Sequence, residues 1–204
     1  MLASPEFNIM ESSTDNLLMK TVFLVGLATG NRASEIAAMS RHAISFATDN
    51  TKVTIPVKPG FLYKNQSLYR TPPNITIKAL RTEDGNHHDL CPLHSLREWL
   101  ERTASWNATT VILNTISKKQ LNRGSISHLI VRTINRAIPN AFAKGHDLRK
   151  VATSLAWARG TQPHEIITNT FWSSSNVFIK NYLSPVDNIL SPCIAAGTMQ
   201  PRQL

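Results

Sequence analysis

The 204-residue chain has only two cysteines, Cys91 and Cys193, far apart and in no recurring spacing. That excludes a disulfide-stapled secreted scaffold and suits a reduced, intracellular setting. No apolar run approaches the roughly 18 residues that a membrane span needs, and no signal-peptide pattern opens the chain. Internal repeats and low-complexity tracts are absent too. Acidic residues are scarce: 13 Asp and Glu stand against 22 Lys and Arg, a formal net charge of +9. The basic residues are spread along the chain and not gathered in a tail, which favours a polyanion partner, nucleic acid first. Charge alone does not select DNA. With 42% hydrophobic residues, the chain can bury one sizeable core, or a core with a small appendage.

What is there reads mostly as helix. Met1 to Phe7 (MLASPEF) resembles a cloning remnant, so residues 1–12 are set aside as a flexible start. Ser13, Thr14 and Asp15 are capping residues before LLMKTVFLVGLATG, an apolar helix that Gly30 ends. RASEIAAM, Arg32 to Met39, is a second short helix whose Arg32 and Glu35 share a face at i, i+3, so the carboxylate braces the guanidinium. Three strand-like runs follow: His42 to Phe46, Lys52 to Val57 and Asn74 to Ala79. They predict a small antiparallel sheet with a long, basic, aromatic second connection, KPGFLYKNQSLYRTPP. Leu93 to Thr103 is an amphipathic helix with Leu96, Trp99 and Leu100 inward. Ser125 to Ile138 is another, with Leu129, Ile130 and Ile134 on its apolar face. A helix from HDLR to about Ala158, one after Pro163 and one through Val177 to Leu183 complete a mainly α (α+β) domain, 13–183.

The chemistry concentrates in Arg32, His146, Arg149, Trp172 and Tyr182. Two guanidiniums can clamp a phosphodiester bidentately, and a histidine can donate to the phosphate or take a proton from tyrosine. A tyrosine in that cationic setting ionises more easily and becomes a nucleophile toward phosphorus. Each residue taken singly is ordinary surface or core. Together they suggest phosphoryl transfer through a phosphotyrosine. Trp172 can donate one indole N–H and cannot shuttle a proton. Basic residues at Lys118, Lys119, Arg123, Arg132 and Arg136 could place a helix and its approach against DNA phosphates, or form a solvated face. The cluster His87, His88, Cys91, His94 has zinc-like residue types, but no second ligand pair follows, and Pro92 suits the opening of the next helix. No metal site is assigned.

These boxes in this order resemble the catalytic domain of the tyrosine recombinase (phage integrase) family, over roughly residues 15 to 185. LATGNRASEIAAM is similar to the family's first box, with Arg32 and Glu35. HDLRKVATSLAWARG is similar to the second, with His146 and Arg149. The family's His-or-Trp position falls on Trp172 and its nucleophile on Tyr182. WSSSNVFIKNYL and PGFLYK look most like recombinases of eukaryotic mobile elements of the DIRS, Ngaro and Crypton types. The interval from Trp172 to Tyr182 is one residue longer than in many bacterial members. The family also uses a lysine in the turn between its second and third strands as general acid; Lys58 and Lys64 compete for that role, and the resemblance favours Lys64.

The resemblance implies a helical domain with a small three-stranded antiparallel sheet that cuts and rejoins DNA at specific sites. It implies a 3′-phosphotyrosine intermediate, no cofactor, neither metal nor ATP, double-stranded DNA as partner, and a tetramer on DNA. The tail, 184–204, is then either a segment exchanged with a neighbouring protomer or a frayed end. The family normally carries a helical DNA-binding domain before this one, so weak binding as a free monomer is the expectation. The compartment would be the nucleus in a eukaryote, otherwise the cytoplasm or nucleoid. Two other readings stay open: strand relaxation of the type IB topoisomerase kind, and a domesticated, catalytically silent DNA-binding module.

Overall fold

One helix is buried almost all round, and the other elements are arranged along it. In the computed structural model, which describes residues 1–63 and 74–170, α1 spans Thr14–Thr29. Its residues from Leu17 to Val22, with Leu24, Val25 and Gly26, are all buried, as expected of a helix without a polar face. Ser13 caps it, its hydroxyl accepting from the Asn16 N–H at 3.2 Å. Gly30 ends it in the left-handed region at φ 63°, where a side chain would be strained. After α2 (Ala33–Ala37), three strands form an antiparallel sheet in the order β1 (Ser45–Phe46), β2 (Lys52–Ile55), β3 (Ile75–Lys78). Then come α3 (Pro92–Arg102), α4 (Arg123–Ala137), α5 (Asp147–Ala158) and α6 (Pro163–Thr170). The expected helix over Val177 to Leu183 lies outside the described residues.

The helices α3, α4 and α5 all pack on α1. Small side chains set how closely. Thr21 and Ser95 hydroxyls meet at 2.8 Å between α1 and α3, and a Cβ on Gly26 would come within 2.7 Å of Leu148 on α5. The sheet follows its alternation: Val53, Ile55, Ile75 and Ile77 turn into the core, while Lys52, Thr76 and Lys78 face water. On α3, Leu93, Leu96 and Trp99 are buried, and the Trp99 indole donates to the Val111 carbonyl at 2.7 Å. Leu100 is only partly buried against that core.

Two expectations are corrected here. Residues 1–12 are packed, because Phe7 and Ile9 have apolar surface to bury: Phe7 is fully enclosed and Ile9 belongs to the core. Lys20 donates to the Phe7 carbonyl at 2.7 Å, and Arg102 donates to the carbonyls of Ile9, Met10 and Ser12. The buried face of α4 is Ile126, Ile130 and Thr133, with Leu129 and Ile134 on its margin, so the stripe is rotated from the expected one. Thr133 fits there because its hydroxyl donates to the Leu129 carbonyl at 2.8 Å, which removes the penalty of burying it.

The histidine and cysteine cluster opens α3. Cys91 is the N-cap, its sulfur accepting from the N–H groups of His94 (3.4 Å) and Leu80 (3.3 Å), with Pro92 in the first turn. The rings of His87 and His94 stack at 4.6 Å. Burial, then Arg81 and Arg97, push the His87 imidazole below its ordinary value. Burial first, then His87, lower that of His94, with Glu98 opposing and Arg97 and Lys20 adding to the effect. The unfolded chain therefore binds these protons more readily than the fold. Stability should be complete above the unfolded value of 6.5 and decline as pH falls below it. Thermal unfolding followed by circular dichroism between pH 8 and 5 checks this, and in His94→Gln the decline should be shallower.

Candidate active site

The site begins where α1 stops. The left-handed Gly30 turns the chain, and Arg32 becomes the extended N-cap of α2 at φ −74°, ψ 156°. Glu35 stands three residues later with 1% exposure, and its carboxylate reaches back to both ends of Arg32. One oxygen accepts from the Arg32 backbone N–H and the other from its guanidinium, each at 2.7 Å. This is the returning half of a capping box, supplied by a carboxylate that also holds a side-chain cation. The i, i+3 brace expected from the sequence is present.

Arg149 arrives from α5, one turn in, and is 2% exposed. Its guanidinium donates to the Gly30 carbonyl at 2.6 Å and to the Thr170 carbonyl, the last residue of α6, at 2.7 Å. It also lies 3.5 Å from the Glu35 carboxylate. Glu35 is thus shared between two guanidiniums, and the trio carries one net positive charge. Arg32 presents that charge, since its side chain keeps 26% exposure. Arg149, expected with Arg32 to clamp a phosphate, points here toward two helix-end carbonyls and the Glu35 carboxylate.

His146 is the N-cap of α5 but makes no side-chain cap. Its imidazole is 71% exposed, with Nε2 3.4 Å from Asp147. Tyr63, not singled out for the site, is 4% exposed and meets Phe61 edge to face at 5.3 Å. Burial first, and the Glu35 carboxylate second, push its phenol well above the usual range. Sequence reasoning also missed Asn31, next to Arg32, whose buried amide oxygen has no hydrogen-bond partner among the described residues. Its position inside LATGNRASE was the only signal. Lys64, Trp172 and Tyr182 lie outside the described residues.

The chain has the fold of a tyrosine recombinase catalytic domain. The XerA recombinase superposes with TM-score 0.63 at 13% identity, covering 96% of this chain and 62% of that one. The XerH site-specific recombinase bound to difH substrate gives TM-score 0.61 at 15% identity, covering 88% and 46%. A lambda integrase dimer bound to a COC′ core site gives TM-score 0.53 at 14%, covering 95% and 46%. The chain therefore spans about half the length of these solved proteins. No family model matches the sequence, and no curated protein does.

Within this fold the basic residues divide between the two ends of α1. Lys118 and Lys119 are exposed on a turn that reaches toward both ends: its Gln120 amide donates to the Ala37 carbonyl at 2.9 Å, its Thr115 hydroxyl lies 3.4 Å from Asp15, and the Lys118 ammonium sits 5.7 Å over the Trp106 ring. Arg123 opens α4, which also packs on α2. Lys58 is exposed, and its backbone N–H donates to Ala38 at 2.8 Å. Arg132 and Arg136 lie at the other end. Arg132 pairs with Asp15 at 3.1 Å; Arg136 pairs with Glu6, bonds Asn16 at 3.1 Å and stacks over Phe7. Asp15 and Gly30 are separated by about 22 Å of helix. The two arginines brace the amino-terminal segment, away from Arg32.

If Arg149 ties Gly30 to Thr170, a point ammonium cannot replace it. Arg149→Lys should lose about 2 kcal/mol of stability in the DNA-free protein, since one of two charge-assisted bonds goes unmade. Urea unfolding reads this; an unchanged midpoint would show that the inward bonds are not formed in solution.

Proposed function

We propose that this chain is the catalytic portion of a site-specific DNA recombinase that cuts and rejoins strands through a 3′-phosphotyrosine. The observation that carries the reading is the Glu35 carboxylate holding Arg32 partly exposed beside buried Arg149, within a recombinase fold. A guanidinium fixed by a buried carboxylate is preorganised for an anion and needs little reorganisation when a phosphate arrives. The Tyr182 oxygen attacks the scissile phosphorus as the bond to the 5′ oxygen breaks, and His146 takes or relays the phenolic proton. Lys64 protonates the leaving oxygen, favoured over Lys58 because PGFLYK resembles the eukaryotic pattern and a long loop can fold over the phosphate. Trp172 gives packing and one hydrogen bond to the phosphate. The bond energy stays in the phosphotyrosine, so the reverse attack by a 5′ hydroxyl needs no ATP.

By its segments WSSSNVFIKNYL and PGFLYK, we assign the chain to a eukaryotic mobile element, acting on double-stranded DNA as a tetramer. A silent DNA-binding module is the second reading, favoured by one observation: the Arg149 guanidinium is already taken by two backbone carbonyls. Catalysis requires one of its five N–H donors to reach a phosphate oxygen from this inward position.

A nicked suicide duplex carrying the element's own end sequence, run on a denaturing gel, separates the two. The wild type should form a covalent adduct, Tyr182→Phe none, with duplex affinity unchanged between them. Binding without an adduct in the wild type would establish the silent module instead.

A further inference from the structure

The outer face of the sheet carries a pairing that the fold by itself does not explain. Lys52 on β2 and Lys78 on β3 are direct cross-strand partners, both exposed. Directly opposed residues on one face bring their Cβ atoms to roughly 5 Å, and like charges there repel. The next pair on the same face is Thr54 with Thr76, and Ser45 on β1 partners Thr54 in turn. The face is therefore hydroxyls flanked by ammonium groups, with no carboxylate on the three strands. Asp49, in the β1–β2 turn, accepts from both the N–H and the hydroxyl of Thr51. Its carboxyl is held below the usual range first by those bonds and only last by Lys52.

The chain stays extended beyond β2. Val57 bridges Met39, the Ser40 N–H donates to Pro56, and the Lys58 N–H donates to Ala38. Alternation then puts Lys58 on the same side as Lys52 and Thr54. Lys58 adjoins the end of α2, one turn past Glu35, and Lys52 lies six residues back, about 20 Å along the strand. A row of cations and hydroxyls thus leads away from the Arg32 cluster over a length that matches about six base pairs of duplex.

We infer that the outer face of this sheet is a track for the phosphate backbone of double-stranded DNA, with Lys52 and Lys78 together holding phosphates remote from the cleavage point. Charge complementarity selects the occupant. A phosphate relieves the repulsion between the two ammonium groups, and the threonine and serine hydroxyls can donate to its neighbours. This rests on the chain binding DNA, as proposed above.

The test measures duplex affinity by fluorescence anisotropy across 50 to 300 mM salt for the wild type and for Lys52→Ala/Lys78→Ala. Each lost phosphate contact flattens the slope of log affinity against log salt by about 0.9, so the double variant should be flatter by about 1.8. Its melting temperature should equal or exceed that of the wild type, because a repulsion is removed. A wild type that binds while the variant keeps the same slope overturns this track and leaves the proposed function intact. A wild type that binds no duplex even at the lowest salt overturns both.

Discussion

A single buried carboxylate carries the local architecture. Glu35 closes the first turn of α2 onto the Arg32 N–H, holds the Arg32 guanidinium, and sits 3.5 Å from that of Arg149. Burying Arg149 alone would be costly; with Glu35 and the Gly30 and Thr170 carbonyls around it, the charge is matched and its donors are directed. The same contacts join the end of α1, the start of α2, the first turn of α5 and the end of α6 at one point. Removing the carboxylate would therefore disturb both the fold and the cation it presents.

Around that point α1 acts as a spine with two different ends. The carboxyl end, at Gly30, supports the arginines and the cations that flank α2. The amino end is closed by Phe7, Ile9 and their ties to Lys20, Arg102 and Arg136. Positive charge is used differently at each. Near Gly30 it faces solvent at Arg32, Lys58 and Arg123; near Asp15 it is neutralised by acids and serves packing. A net charge of +9 is thus not one uniform surface but a directed one.

Much of this was legible in the sequence wherever the signal was local. Ser13 and Gly30 bound α1 because capping depends on neighbouring backbone alone. The Arg32–Glu35 brace follows from helical spacing, and the KVTI and ITIK alternations gave two strands whose pairing needed only a long connection. Contacts between distant segments could not be read in that way. That Arg149 turns inward depends on carbonyls at Gly30 and Thr170, which no spacing within HDLR encodes. Arg132 and Arg136 share a helix face by spacing, but their partners Asp15 and Glu6 lie more than a hundred residues earlier, so these pairs could not be read from it. Phe7 reads as part of an appended remnant in sequence, because its burial depends on partners such as Arg136 of α4, far along the chain.

The measurement that bears most directly on the central claim is a double-mutant cycle on stability, combining Glu35→Gln with Arg149→Met in urea unfolding. If the carboxylate holds this arginine as one unit, each single variant is destabilised and the double loses less than their sum, by about 2 kcal/mol. A coupling near zero would mean the two charges are independently placed, and the site would not be organised on Glu35.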